Sequence, residues 1–270
     1  MAVNRIEEFI SAINSQTDER TIEALCLSEL TYLRSELALT SVKRAVTRYR
    51  NAFKEISDTH PCLNFFKLTR DEQARIKGAT RSQVYADHTN LRPIDPDELI
   101  LKACELLKSE SYLNLALGLM LLTGRRSTEI LKTAEMTAVS DESVIFAGQL
   151  KTKGSDNAQT LPYEIPVLTD SQTVINALTK LRQLRDFSNL TNDAVHSKAN
   201  KSLSEAVKRY FDALIPSVKL KDLRSAYATI CHDFYCPNQI SQTAYFAMVL
   251  GHSKEDLTTA QSYQDFYIAE

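Results

Sequence analysis

The sequence predicts a mainly α-helical protein with one small antiparallel β-sheet, an α+β chain. Three observations carry that expectation. Apolar residues recur at three- and four-residue spacing along most of the 270 residues. Between about Ser143 and Val167 the period shortens to two, as in a half-buried strand. Glycine and proline fall at the ends of the periodic stretches, where helices stop and start.

From the N-terminus, Ile6, Phe9, Ile10 and Ile13 mark a first helix. Thr21–Leu27 and Leu30–Leu37 continue the pattern. Thr40-Ser41 can cap a helix running to about Ile56, with an apolar stripe of Val42, Ala45, Val46, Tyr49 and Phe53. The opposite side carries Lys43, Arg44, Arg48, Arg50 and Lys54, and no acid before Glu55. His60-Pro61-Cys62 breaks the pattern. Leu68–Ile76 reads as a helix ending at Lys77-Gly78, and Thr80–Arg92 as a polar connector. The residue before a proline avoids the helical region, so Arg92-Pro93-Ile94-Asp95-Pro96 marks a domain junction. Residues 1–95 form a helical domain and 96–270 a second domain in this reading. Asp95 supplies the cap, Pro96 the first helical residue and Glu98 an acid reaching back.

The helix from Pro96 is followed, after Ser109-Glu110-Ser111, by the apolar run Leu113–Leu122. Gly124 should end that run, because glycine takes the left-handed cap conformation cheaply. Arg125 and Arg126 follow, and a second helix restarts with Glu129 in its first turn. Ser143–Ala147 is a strand by composition. Gln149, Lys151 and Lys153 then share one face of an extended hairpin arm, Gly154–Asn157 turns, and Gln159–Val167 returns. Helices resume at Asp170 and continue past Leu203, Leu223 and Asn238 to Leu250, where Gly251 stops the chain before His252. Leu257–Tyr263 is the last periodic segment.

The bulk numbers restrict the function. Hydrophobic content of 43% and charged content of 24% are those of an ordinary soluble globule. The longest apolar run is too short to cross a bilayer. The first eight residues carry acids and no long apolar core, unlike a signal peptide. We therefore expect a cytoplasmic protein without membrane contact. Five cysteines at 26, 62, 104, 231 and 236 suit a reducing compartment. Cys231-His232 and Cys236 lack a second ligand pair, so no metal site is expected. The net charge of −2 argues mildly against a nucleic-acid binder, but a local basic face matters more than the total. Lys43, Arg44 and Arg48 supply such a face, and with Arg125 and Lys153 they are candidate phosphate contacts.

Arg126, Lys151, Lys221, Arg224, His252 and Tyr263 fall at helix ends and on the hairpin. Each alone has a structural explanation. Together they form a set suited to phosphoryl transfer through a covalent tyrosine. Two guanidiniums can hold the non-bridging oxygens of a phosphodiester. A tyrosine can take the phosphoryl group and keep its bond energy, so that no ATP is needed. A lysine can protonate the departing 5′ oxygen, and a histidine can donate to phosphate or accept the phenol proton. Side-chain cations replace a metal, so no cofactor is expected. Strand position alone does not choose between Lys151 and Lys153 as the acid.

Three boxes carry a family resemblance. Thr123-Gly124-Arg125-Arg126-Ser127-Thr128-Glu129-Ile130 resembles the first arginine box of the tyrosine recombinases. Lys221-Asp222-Leu223-Arg224 resembles their second, with lysine where most members have histidine. Leu250-Gly251-His252-Ser253, then Thr258-Thr259 and Tyr263, resembles the third, with two residues more than usual between His252 and Tyr263. Those departures, with Gly148-Gln149-Leu150-Lys151-Thr152 and Tyr163-Glu164-Ile165-Pro166, are similar to the hairpin telomere resolvases, or protelomerases. The resemblance covers Pro96–Tyr263; residues 1–95 match only in being helical. It favours Lys151 as the acid. It implies a tyrosine-recombinase-like catalytic domain and a helical arm that clamp duplex DNA, working as a dimer on an inverted-repeat target. It implies a 3′-phosphotyrosyl intermediate and closed hairpin ends. A conventional tyrosine integrase, a catalytically inactive DNA-binding relative and, more distantly, a type IB topoisomerase are the alternatives. The chain is shorter than such resolvases, and further DNA-binding domains are not expected in it.

Overall fold

A computed structural model of the chain describes residues 2–16, 18–150, 161–252 and 257–269. The predicted class holds: helices dominate, with a small antiparallel sheet. The chain forms two compact units, Met1–Tyr85 and Ala86–Glu270.

The first unit contains α1 (Ala2–Asn14), α2 (Glu19–Glu36), α3 (Leu39–Ile56), the short α4 (Cys62–Phe65) and most of α5 (Arg70–Thr89). Its core takes Ile22, Cys26, Leu30 and Leu33 from one face of α2 and Val42, Val46, Tyr49 and Phe53 from α3. That is the three-and-four spacing read in the sequence. Inside this core Glu29 accepts both Arg5 donors at 2.7 Å and the Tyr49 hydroxyl at 2.6 Å. The helix predicted from Thr40-Ser41 starts slightly earlier, at Leu39 behind Ala38, with no side-chain cap. The expected connector Thr80–Arg92 is instead helical through Thr89. Almost every side chain there is exposed, so no buried stripe advertised it.

The second unit begins with β1 (Arg92–Ile94) and α6 (Pro96–Leu107), which Asp95 caps by accepting from the Glu98 amide at 3.0 Å. Next comes α7 (Tyr112–Thr123), apolar on every side and buried from Leu115 onward. A helix of that kind belongs in the middle of a fold. It packs on α6, on α8 (Ser171–Leu184), on α9 (Asn192–Phe211) and on α10 (Leu220–Tyr235). Gly124 caps α7 in the left-handed conformation, φ 64°, as predicted. A Cβ there would lie 2.1 Å from the buried Tyr227 ring, so that only glycine fits. The restart after the arginines is one π turn, Glu129–Thr133.

Among the described residues the antiparallel sheet has three strands in the order β2 (Glu135–Ser140), β3 (Ser143–Ala147), β4 (Tyr163–Pro166). β3 lies where it was predicted. β2 was not predicted as a strand, because its outer position leaves five of six residues exposed and hides the alternation. Residues 148–150 are not strand, and the rest of the predicted hairpin arm, with Lys151, Lys153 and the turn, lies outside the described residues.

After α10 come α11 (Gln242–Leu250), closed by Gly251 at φ 66°, and the short α12 (Leu257–Gln261). A second, parallel pair joins β1 to β5 (Phe266–Ile268), with Arg92 opposite Phe266. Among the described residues no helix is long and apolar enough to cross a membrane.

Candidate active site

Four of the six predicted site residues line one cavity of about 570 Å³ in the second unit: Arg126, Lys221, Arg224 and Tyr263. His252 stands at its edge, with its ring centroid 5.4 Å from that of Tyr263. Lys151 lies outside the described residues, although its neighbour Leu150 lines the same cavity.

Helix ends place these groups. Arg224 sits on the first turns of α10 and is almost wholly buried. It donates through Nη1 to the Gly124 carbonyl, and through Nη2 to the Leu250 carbonyl at 2.7 Å. Both acceptors end helices that leave carbonyls without intrahelical partners. Arg224 is thus bound to the two glycine-closed helix termini, while its Nε meets no hydrogen-bond acceptor among the described residues. The guanidinium carbon lies 5.4 Å from the centre of the Tyr263 ring.

Arg126 is set by Glu129, which is fully buried. The carboxylate accepts the Arg126 amide at 2.8 Å, Arg126 Nη1 at 2.8 Å and the Leu150 amide at 3.1 Å. Burial pushes the Glu129 carboxyl up, but the charges of Arg224, Arg126 and Arg125 outweigh it and hold the group below its ordinary range. One carboxylate therefore serves three guanidiniums, and the cavity keeps an excess of positive charge. Burial, with Arg126 and Arg125 nearby, draws Arg224 down to about 10, still cationic at neutral pH.

Tyr263 follows α12 by two residues, its amide donating to the Ala260 carbonyl at 3.1 Å. Burial would raise this phenol. Charge and hydrogen bonding from Arg224 and Arg126 more than offset that and bring it below the usual tyrosine value. A phenol lowered in this way beside two guanidiniums has the make-up that a nucleophile and an anion clamp require. Lys221 is half exposed, its ammonium 5.8 Å from the Tyr263 ring centre and 3.1 Å from Asp265 Oδ2.

Arg125 is a correction. The sequence offered it as a phosphate contact, but its side chain is fully buried. It donates to the Thr123 carbonyl at 3.0 Å, to the Tyr163 hydroxyl and to the Val249 carbonyl, and it lies over the Phe146 ring. Those bonds tie the end of α7 to the sheet and to α11. Lys43, Arg44 and Arg48 are exposed on α3, as a phosphate contact requires. Arg50 on the same helix instead donates to the Leu63 and Phe66 carbonyls. Lys153 lies outside the described residues. Sequence reasoning did not give Glu129 its role as organiser, although its place three residues after Arg126 is the spacing that lets it reach back.

Residues 90–266, about two thirds of the chain, match the family described as the telomere resolvase ResT/TelK catalytic domain. The chain belongs to this family. Curated relatives include telomere resolvase ResT of Borreliella burgdorferi, 23% identical over 152 residues, 56% of this chain and 33% of that protein. The protelomerase of Yersinia phage PY54 is 24% identical over 244 residues, 80% of this chain and 38% of that protein. The chain therefore spans between a third and two fifths of the length of these relatives. Among solved structures, an arginine-to-alanine variant of protelomerase tela complexed with DNA hairpin product superposes with a TM-score of 0.91 at 28% identity, covering 99% of this chain and 88% of that one. A second variant of the same protein, covalently complexed with substrate DNA, gives 0.90 at 29% identity, with the same coverage.

Proposed function

We propose that the chain cleaves and rejoins duplex DNA through Tyr263, converting replicated inverted-repeat junctions into covalently closed hairpin ends. The observation that carries this reading is the cavity in which Tyr263 faces Arg224, Arg126 and Lys221 within one chain. Its support is the likeness to protelomerase structures complexed with a DNA hairpin product and covalently with substrate DNA.

The scissile phosphate rests between Tyr263 and the two arginines. The phenolate oxygen attacks phosphorus, the bond to the 5′ oxygen breaks, and the 3′ end becomes a phosphotyrosyl ester. Arg126 and Arg224 hold the non-bridging oxygens as charge builds there. Lys151 gives its proton to the departing 5′ oxygen, Lys221 contacts the phosphate from the rim, and His252 donates to it from the far side of the tyrosine ring. A 5′-hydroxyl of the complementary strand then attacks the same phosphorus and releases the phenol. Because the ester preserves bond energy and the cations are side chains, the reaction needs neither ATP nor metal. Lys43, Arg44 and Arg48 hold flanking backbone, with Lys153 beside the cleavage point. Residues 1–95 act as the DNA arm and 96–270 as the catalytic part. Two chains act on a symmetric target, in the nucleoid of a bacterial or phage-carrying host.

The test is incubation with an inverted-repeat duplex, followed by denaturation. Snap-back hairpins are expected. Products whose strands always separate would sink hairpin formation and favour a conventional strand exchanger. A nicked duplex that traps the adduct gives the second arm: it should label wild type and not Tyr263→Phe. No adduct with either protein would mark the chain as a DNA-binding relative without activity.

A further inference from the structure

The nucleophile's segment carries an acid that no sequence motif singled out. Asp265 lies two residues after Tyr263. Its Oδ2 accepts the Ser225 hydroxyl at 2.6 Å and lies 3.1 Å from the Lys221 ammonium, with Oδ1 at 3.4 Å from the same ammonium. Its backbone carbonyl accepts the Arg92 amide at 3.0 Å, immediately before the β1–β5 pairing begins. Lys221 and Ser225 stand four residues apart on α10, one above the other on a single row, and Arg224 lies next to that row. Ser225 is fully buried, so its hydroxyl has a fixed place, and Asp265 is only 14% exposed. The other acid nearby is already engaged: Asp222 accepts Arg92 Nη2 at 2.8 Å and the Lys219 amide at 3.2 Å.

Lys221, by contrast, is 48% exposed on a flexible stem. A lysine side chain has many rotamers open to it, and without a partner it would sweep the rim of the cavity. The pairing with Asp265 keeps its ammonium over the Tyr263 ring.

We propose that Asp265 is a positioning residue for strand transfer: oriented by Ser225, its carboxylate holds the Lys221 ammonium between the nucleophile and the phosphate seat, and fixes the Tyr263 segment against α10. The inference rests on the proposed function and deepens it. Asp265 touches neither phosphate nor reacting atom; it acts through Lys221.

The test measures adduct formation on the nicked duplex at saturating DNA, DNA affinity by titration, and melting temperature, in the full chain. Asp265→Asn keeps the size and an acceptor for Ser225 but loses the charge. It should slow adduct formation about ten- to a hundredfold, the range expected when a reacting group loses its alignment. DNA affinity should stay the same or tighten, since a negative charge leaves the phosphate path, and the melting temperature should hold. In a Lys221→Ala background the same substitution should slow the reaction no further. Ser225→Ala should shift the rate in the same direction by less. An unchanged rate in Asp265→Asn would overturn the inference, as would full slowing in the Lys221→Ala background. So would slowing that comes with matching losses of affinity and melting temperature. A wild-type chain that forms no adduct would bring down the proposed function and this inference together, whereas an active wild type with an indifferent Asp265→Asn would remove this inference alone.

Discussion

Arg125 and Arg126 are neighbours with opposite fates. Both border the cavity, but Arg125 is sealed beneath Phe146 with its donors spent on backbone and Tyr163, whereas Arg126 keeps part of its side chain open to solvent. Arg125→Ala should therefore unfold the second unit more readily, by about 2–5 kcal/mol, since it leaves two buried carbonyls without their donor and empties the space the side chain fills. Urea denaturation measures it. Arg126→Ala should fold and bind DNA but form adduct on the order of a hundredfold or more slowly. Equal loss of stability in both would contradict the division of labour. A second expectation concerns ionisation. A phenol whose pKa is lowered becomes phenolate at lower pH than an ordinary tyrosine. The difference between ultraviolet titrations of wild type and Tyr263→Phe should show one such group, and Arg126→Ala should move it upward. No group below the ordinary tyrosine range would refute the electrostatic account. The sequence could show that two adjacent arginines follow a helix end. It could not show which one turned inwards, because that depends on Val249 and Tyr163, both distant along the chain.

At the scale of elements, the two glycine caps organise the site. Gly124 and Gly251 close α7 and α11, and the carbonyls at those two ends receive Arg224. Gly124→Ala forces a left-handed non-glycine residue and drives a Cβ into the buried Tyr227 ring. We expect a loss of about 2 kcal/mol or more, read from the urea midpoint, with slower adduct formation as Arg224 shifts. Helix ends of this kind were legible, because glycine after an apolar run is a local signal. The caps at Gly124, Gly251 and Asp95 all stand where the residues pointed. The second half of α5 and the strand β2 were not legible, because exposed elements carry no buried stripe. The parallel β1–β5 pair was not legible either. Three-residue strands give no periodic signal, and their partners lie more than 170 residues apart.

At the scale of the whole molecule, every described member of the proposed catalytic set belongs to the unit Ala86–Glu270. The boxes that carried the family resemblance converge on that one cavity, so this part of the site was legible as a set of separated motifs. The pairing of Ser225 and Lys221 with Asp265 was not, because it joins residues some forty positions apart, whereas Glu129 reaches Arg126 across three residues and left a local signal. Because one chain holds Tyr263 against its own Arg224, mixing Tyr263→Phe protein with Arg224→Ala protein should restore no adduct. Labelled nicked duplex and denaturing electrophoresis read the result. Recovery of adduct in the mixture would mean that the tyrosine crosses to a neighbouring chain.

The strand pairing that follows Tyr263 bears on reaction order. β5 is stitched to β1 of the same polypeptide only three residues beyond the phenol, which leaves that ring a short leash. Cleavage of a single half-site should then scale with the first power of enzyme concentration under dilution, and only the ligation of paired ends should register how many molecules have assembled.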